Sequence, residues 1–496
     1  MAVDYVLNPP LGIDLGTTYS VIARWDGKTS KHYNTGSKQA ESTFQSVVWY
    51  DQKSKKYLTD RIAYRRTLID PEYGIVGVKR LMDKRDHIIK LGDKEHSPME
   101  ISAKIIDGMY TEVAGMYAKD EFRARKVVVS VPYYFKAHQC ANTREAVELA
   151  GLECAGIIQE PVAASLKYVL DMIDNDPEQE RDEIILVFDL GGGTFDLTLF
   201  KLKVRKNKVN FEVLASGGDD RLGGLDFDEA LAAYILASVN FSIDKDSRDG
   251  RRVWQKVLEE SNNVKQFLSS AQSWTITIPY VMGDQHIEMD ITREQFEQCI
   301  EPFTNKIHQH IDEIFSQSGL NRQDVTRVIK VGGSSKIPVM DRLLEESIDA
   351  NKIYNNADNA LYIAEGAAIY AAYLDDSESF DREIEIGIRS SHALGIKLDC
   401  GTFYPLIEAN TKTPCSRSQI FGPSDKEQQY VDIEVYQGKN KLAEKNDRIG
   451  RVHCPIPAEA GADPDIKVIF TQDNEQTLLV KIEIGKLTFT DGFTMT

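Results

Sequence analysis

Two stretches of the chain combine residue types suited to holding a phosphate. LGIDLGTTYS, residues 11 to 20, runs from an apolar segment through Asp14 into a glycine and a pair of threonines. LVFDLGGGTFDLTLF, residues 186 to 200, repeats that order with Asp189 in the place of Asp14. Backbone amides in such turns form concave anion sites, and threonine hydroxyls add donors. Two aspartates at corresponding places could hold Mg²⁺ through its waters, because magnesium keeps much of its hydration shell. A third glycine-rich element, VIKVGGSSKIPVMDRLL from Val328, reads as a strand, a turn at Gly332 and Gly333, and a helix whose start offers free amides to a phosphate or ribose. One such turn alone is usually a structural hairpin, whereas three in one chain describe a nucleoside-triphosphate clamp.

The elements that must position these residues follow from the same pattern. Each of the first two motifs reads as a hairpin tip, which implies two similar lobes with their turns facing a shared cleft. Between them, VVVSVPYYF (127 to 135) predicts a buried strand ended by a proline turn, and HQCANTREAVELAGL predicts a helix stopped at Gly151. PVAASLKYVLDMI predicts a helix with Pro161 in its first turn. Strand and helix alternate, so the class is α/β. The charge run NDPEQERDE (175 to 183) reads as a solvated loop. Near residue 380 the helical spacing stops. EIEIGI, VDIEVYQ and LLVKIEIGKLTF alternate with period two and mark half-buried strands of a separate β domain. The expected division is a nucleotide-binding unit over 1–380, a linker over 381–388 and a β domain over 389–496.

Composition removes several classes of function. A net charge of −18 over 496 residues disfavours nucleic acid and anionic membranes as partners, since phosphate contacts need clustered Lys and Arg. No apolar run approaches the ~18 residues needed to cross a bilayer. The opening MAVDYVLNPP lacks the basic start and apolar core of a secretion signal, so a cytoplasmic location is expected. Six cysteines without a C-x-x-C pair read as reduced and mostly buried.

LGIDLGTTYS, FDLGGGTFD, RLGGLDFD (221 to 228), IIQEPVAAS (157 to 165) and VGGSSKIP (331 to 338) resemble, in order, the signature segments of the seventy-kilodalton heat-shock chaperone family, the DnaK-like proteins. The resemblance spans roughly residues 11 to 490. It implies an actin-like, two-lobed ATPase followed by a β-sandwich that grips extended peptides, with ATP or ADP and Mg²⁺ as cofactors. Unfolded polypeptides, a J-domain co-chaperone and a nucleotide exchange factor are the partners it implies. Residue by residue, Gly16, Thr17, Thr18 and Tyr19 would cradle the β and γ phosphates, with Gly191, Gly192, Gly193 and Thr194 as the opposing loop. Asp14, Asp189 and Glu160 would order the waters of magnesium, and Asp196 would help orient the attacking water. Gly223 and Gly224 resemble a further nucleotide loop, and Gly332, Gly333 and Ser334 resemble the adenosine-side loop. Lys265 and Ser269, in VKQFLSS, together with Lys336 and Asp358, resemble adenosine-side contacts.

The chain also departs from the family. An ungapped match through AYRRTLIDP (63 to 71) puts Tyr64 where the family has its catalytic lysine, with Arg65 as a neighbour that could swing in. Phosphoryl transfer depends on positioned positive charge, so this register predicts weak hydrolysis. Asn262 and Gln266 stand where the family has Glu and Arg, Lys336 where it has an adenine-stacking Arg, and Leu225 where it has a glutamate. In the linker, Ile384, Ile386 and Ile388 alternate with Glu383, Glu385 and Gly387 in place of a leucine run, a pattern that suits an edge strand. Read as stopping at Thr496, the chain has no room for a helical lid, and a bound peptide would leave quickly.

Two functions from different classes follow. The first is a chaperone that hydrolyses ATP slowly and binds extended polypeptides transiently. The second is a nucleotide-bound interaction or regulatory subunit with little catalysis, a pseudo-ATPase. A sugar kinase on the same scaffold would need a sugar-binding carboxylate between the lobes, and the β domain argues against it.

Overall fold

In each half of residues 1–380, an apolar strand ending in an aspartate pairs on both sides. The structure, a computed structural model, describes residues 6–35, 41–117, 121–124, 126–175, 180–206, 208–354, 361–380, 383–425, 428–457, 459, 461, 463–473 and 477–493. β1 (Leu11–Asp14) and β2 (Tyr19–Trp25) make an antiparallel hairpin with Asp14 opposite Val21. β3 (Ser30–His32) extends it beyond β2, and β4 (Val127–Val131) and β5 (Cys154–Gln159) add in parallel on the far side of β1. β6 (Arg181–Leu190) and β7 (Phe195–Arg205) repeat the hairpin with Asp189 opposite Asp196, and β8 (Lys208–Asp219) extends it. β9 (Arg327–Val331) and β10 (Ile353–Tyr354) add in parallel beyond β6. The order β10-β9-β6-β7-β8 thus repeats β5-β4-β1-β2-β3. The duplication read in the sequence is a duplicated topology, and both hairpin tips emerge at equivalent strand ends.

Helices fill the remaining layers. They are α1 (Asp60–Ile69), α2 (Pro98–Ala114), α3 (Ala137–Leu149), α4 (Glu160–Asn175), α5 (Gly224–Ser238), α6 (Arg248–Leu268), α7 (Arg293–Ser318), α8 (Pro338–Glu345) and α9 (Tyr362–Asp375). α3 stops just before Gly151, whose φ of 79° only glycine adopts freely, and Pro161 lies in the first turn of α4. A single apolar cluster takes in Val128 and Ile158 of the first sheet, Leu166 and Val169 of α4, Ile185 and Val187 of the second sheet, and Ala367 and Ile369 of α9. The two sheets therefore share a core through these two helices. α4 and α9 can come this close because Gly366 meets Ala163: a Cβ there would lie 1.9 Å from the Ala163 carbonyl oxygen.

Three sequence expectations change. The helix expected directly after Gly332 and Gly333 begins only at Pro338, because Gly333–Lys336 tightens into a 3₁₀ turn closed by Ser335 N–H to Gly332 O and Ile337 N–H to Ser334 O. The charge run 175–183 falls partly outside the described residues, and its last residues, Arg181 to Glu183, already belong to β6. EIEIG belongs to no separate β domain: β11 (Glu383–Gly387) joins the edge of the second sheet, parallel to β8 with Ile384 opposite Val209. Ile384 and Ile386 pack into the shared core while Glu383 and Glu385 stay exposed, as the alternation demands.

Beyond β11 the strands are antiparallel. Leu394–Lys397, Phe403–Ile407, Tyr430–Gln437 and Asp447–Pro455 form one four-stranded sheet. Cys415–Phe421, Ile466–Gln472, Leu478–Ile484 and Leu487–Phe493 form another. Alternate residues of both, among them Ile396, Val435, Val468, Phe470 and Val480, bury one common cluster. All six cysteines are free. Cys140 and Cys454 are buried, but Cys400 is exposed, against the expectation of mostly buried thiols. Among the described residues no helix is long and apolar enough to cross a membrane.

Candidate functional site

Four glycine-bearing loops converge at the ends of β1, β6 and β9 and the start of α5. A Cβ on Gly192 would lie 2.1 Å from Thr18 Oγ1, and one on Gly193 would lie 2.4 Å from Thr17 Oγ1. The two hairpin tips therefore face each other at a separation only glycine permits. Gly223 sits equally close to the second tip, 2.6 Å from Gly193 N if it carried a Cβ, and a Cβ on Gly224 would lie 2.5 Å from Ser334 Oγ. Backbone bonds fix these loops: Gly191 N–H to Thr194 O at 3.1 Å, Gly224 N–H to Gly191 O at 3.0 Å and Leu225 N–H to Gly192 O at 2.8 Å. Gly16 N–H donates to Ser20 Oγ at 3.2 Å, which tightens the first tip. Thr17 and Thr194 are buried, while Tyr19 is exposed. Thr18 Oγ1 is buried with no hydrogen-bond partner among the described residues.

Beneath the tips lies a cluster of carboxylates, Asp14, Glu160, Asp189 and Asp196. Burial, then the Glu160 charge, pushes the Asp14 carboxyl up to about 7, although Lys79 and a 3.0 Å hydrogen bond from Ser130 Oγ oppose the shift. Asp196 is pushed up to about 8 by burial and then by Glu160, against the Tyr134 amide that donates to its Oδ1 at 3.2 Å. Asp189 rises well above the ordinary carboxylate range for the same first reason, and then through Glu160, Asp196 and Asp14. Its Oδ2 has no hydrogen-bond partner among the described residues. Crowded buried anions with unpartnered oxygens fit a cationic ligand. No three His, Cys, Asp or Glu side chains among the described residues come together tightly enough to hold an ion directly.

A cation does reach this cluster, and it corrects the sequence register. Lys79 Nζ donates to Glu160 Oε1 at 2.6 Å in a pair that is almost fully buried. Burial opposes its charge, but Glu160, Asp14 and Asp189 together hold the Lys79 ammonium above its usual range. Tyr64, which the ungapped match placed here, sits on α1 against the Val47, Trp49 and Ala63 cluster. Its phenol is pushed up by burial and then by Glu259, Tyr19 and Asp228, none of them members of the carboxylate cluster. Arg65 points to solvent. No periodicity spans residues 64 to 79, so an ungapped register slides past the lysine that reaches the cluster. The signal that could have found it is Gly77, left-handed at φ 70°, opening the 3₁₀ turn Val78–Leu81 with adjacent Lys79 and Arg80.

Arg80 was also missed. Its guanidinium crosses from the first lobe to the second, donating from Nε (3.2 Å) and NH2 (3.0 Å) to the carbonyl of Gly193. It also forms a two-point ion pair with Asp226, whose carboxylate accepts the Gly223 amide at 2.7 Å. One side chain thereby fixes two of the glycine loops.

The residues expected on the adenosine side are only partly assembled. Lys265 reaches the loops but donates to Gly224 O at 3.0 Å and to Asp228 at 2.8 Å. Ser269 Oγ is bonded to Lys265 O of its own helix at 3.0 Å. Gly332 lies against Asp189, Gly333 faces open space, and Lys336 is exposed on the 3₁₀ turn. Gln266 and Asn262 bond each other at 3.2 Å on the exposed face of α6. Leu225 packs beside Gly77 and takes no part in the carboxylate cluster. Asp358 lies outside the described residues.

The site thus combines a duplicated hairpin topology, opposed glycine loops and a carboxylate cluster that one lysine enters through Glu160. The family model described as Hsp70 protein matches residues 10–90 and 83–484. The "Chaperone protein DnaK" of Halobacterium salinarum, in each of two strains, is 32% identical over 479 residues, covering 95% of this chain and 72% of its own length. Similarity of this extent, over both lobes and the β strands beyond them, means that the chain belongs to the Hsp70 family.

Proposed function

We propose that the protein binds ATP with Mg²⁺ between its lobes, hydrolyses it slowly, and couples that cycle to binding of extended polypeptides by the antiparallel sheets that follow β11. The observation that carries this reading is Lys79 in its buried pair with Glu160, beside Asp14 and Asp189. Thr17, Thr18 and the amides of Gly192 and Gly193 are the groups that would take the phosphates, and Gly223, Gly224 and Ser334 border the same space. Asp14, Asp189 and Glu160 would hold Mg²⁺ through its water shell, since no direct ligand set is present among the described residues. When bound, the ion would supply positive charge to the phosphates and relieve the repulsion among these carboxylates. Asp196, held above the ordinary carboxylate range by burial and then by Glu160, would exchange a proton with the attacking water. Family membership supports ATP and chaperone activity together, with unfolded polypeptides, a J-domain protein and an exchange factor as partners.

The pseudo-ATPase reading drew on Tyr64 in the place of a cation, and Lys79 beside Glu160 supports the catalytic reading instead. The departures at Asn262, Gln266 and Lys336 keep the adenine side less specific than the phosphate side. The test of coupling is dissociation of a fluorescent extended peptide. ATP should speed its release relative to ADP, and equal release in both would count against coupling. Arg80→Ala removes charge-assisted bonds worth about 1.5–3 kcal/mol, so nucleotide dissociation followed by stopped flow should quicken by roughly 10- to 100-fold. An unchanged rate would deny Arg80 its part in closing the cleft.

A further inference from the structure

The first hairpin tip is braced from outside the cleft. Asp60 opens α1 with a φ of 59°, and of the five non-glycine residues with positive φ among those described it alone is buried. Aspartate is one of the few side chains that enters this backbone region, and a buried residue held there persists only when its surroundings impose it. The left-handed turn aims the carboxylate back along the chain, where Oδ1 accepts the Gln45 amide at 2.7 Å. Gln45 belongs to the short strand Phe44–Gln45, which pairs with β2 by setting Gln45 opposite Tyr19 and Phe44 opposite Ser20. Ser46, the next residue, is buried and bonds the tip twice. Its amide donates to Thr18 O at 2.9 Å, and its hydroxyl is bonded to Ser20 Oγ at 2.8 Å. Ser20 Oγ is the same atom that accepts the Gly16 amide. α2 closes on this segment from behind: a Cβ on Gly108 would lie 2.6 Å from Thr59 Oγ1 and 3.1 Å from the ring of Phe44.

We propose that Ser46 and Asp60 are positioning residues for phosphate binding, a strut that fixes the first tip with the Thr17 and Thr18 hydroxyls facing the second. This rests on the nucleotide reading above and names what gives its phosphate loop one shape. Residues 16 to 20 are held at Gly16 through Ser20, at Thr18 through the Ser46 amide, and at Tyr19 and Ser20 through the strand pairing. Each of these bonds lies on the side away from the second tip, so the strut leaves the Thr18 hydroxyl unspent: Thr18 Oγ1 is buried with no hydrogen-bond partner among the described residues. The space in front of it is tight, since a Cβ on Gly192 would lie 2.1 Å away. A tip released from Ser46 lets its threonines turn to neighbouring backbone groups, as short hydroxyl side chains do, and the phosphates lose donors that were already in place.

The test is calorimetry of MgATP and of AMP, which lacks the phosphates that the tip would hold, on the full chain as wild type, Ser46→Ala, Asp60→Gly and Asp60→Asn. Asparagine keeps an acceptor oxygen and tolerates the left-handed region, whereas glycine keeps the backbone and loses the acceptor. The ratio of MgATP to AMP affinity should fall by roughly tenfold in Ser46→Ala and by roughly 10- to 100-fold in Asp60→Gly, and should stay within about twofold of the wild type in Asp60→Asn. An unchanged ratio in Ser46→Ala and Asp60→Gly overturns the strut and leaves the nucleotide reading standing. Equal loss of MgATP and AMP affinity also overturns it, because the two residues would then support the fold at large. An Asp60→Asn as impaired as Asp60→Gly overturns the bond to Gln45 as the link. A wild type that binds no MgATP overturns the nucleotide reading, and the strut with it.

Discussion

Lys79→Ala should lower single-turnover hydrolysis of bound ATP by roughly 100- to 1000-fold, the usual cost of removing one positioned donor from a developing phosphoryl charge. Lys79 is the one cation in contact with the carboxylate cluster among the described residues. Its pair with Glu160 at 2.6 Å is shielded from water, so neither salt nor solvent can substitute for it. Nucleotide affinity should change much less, because the glycine loops and threonines of both tips remain. Tyr64→Phe should leave turnover unchanged, since Tyr64 packs among Val47, Trp49 and Ala63 on α1. Rapid-quench assays on the two variants decide between the positions. Full activity in Lys79→Ala, or loss in Tyr64→Phe, would restore the ungapped register.

The nucleotide-free protein should become less stable as pH rises from about 4 to about 8. Asp14 titrates at about 7 and Asp196 at about 8 in the folded state, with Asp189 raised as well, whereas unfolded aspartates titrate near 3.9. Between those values the folded chain holds protons that the unfolded chain has already released. Stability is therefore fully present below the unfolded pKa and is lost as pH climbs through the folded ones. A three-unit shift corresponds to about 4 kcal/mol for one group, and because the carboxylates are coupled the total falls short of a simple sum. Thermal unfolding in chelator should give a higher midpoint at pH 5.5 than at pH 8, and Asp14→Asn should flatten the difference. MgATP should raise the midpoint most at pH 8, where the cluster is most fully charged. A chelated wild type that is more stable at pH 8 than at pH 5.5, with Asp14→Asn no flatter, would show that the cluster is not strained.

Much of this architecture was legible because it repeats. LGIDLGTTYS and FDLGGGTFD give the same strand, aspartate and glycine order, and the chain folds them into the same hairpin with the same parallel neighbour. The strand Val127–Val131 and the helices at 137 and 160 follow from apolar spacing and from the punctuation of proline and glycine. What stayed hidden depends on contacts between segments far apart in sequence. Lys79 is defined by Glu160, and Arg80 by Gly193 and Asp226. No local pattern marks a lysine as buried when its partner lies in another element. EIEIG was read correctly as an alternating strand, but alternation does not say which sheet receives it, and the open edge of β8 takes it. The helix expected at Gly332 was displaced because Pro338 fixes the first helical turn while the glycine pair favours a tighter one. Ser269 was assigned by resemblance, and its hydroxyl is engaged by its own helix.

The most direct test of an active cleft is a single turnover of labelled ATP prebound with Mg²⁺ to the unmodified protein, followed to completion. With Lys79 seated against Glu160, all of the bound ATP should pass to ADP and phosphate in one slow exponential phase. Recovery of intact ATP after the same interval would contradict catalysis here and leave the nucleotide as a structural ligand of an interaction subunit.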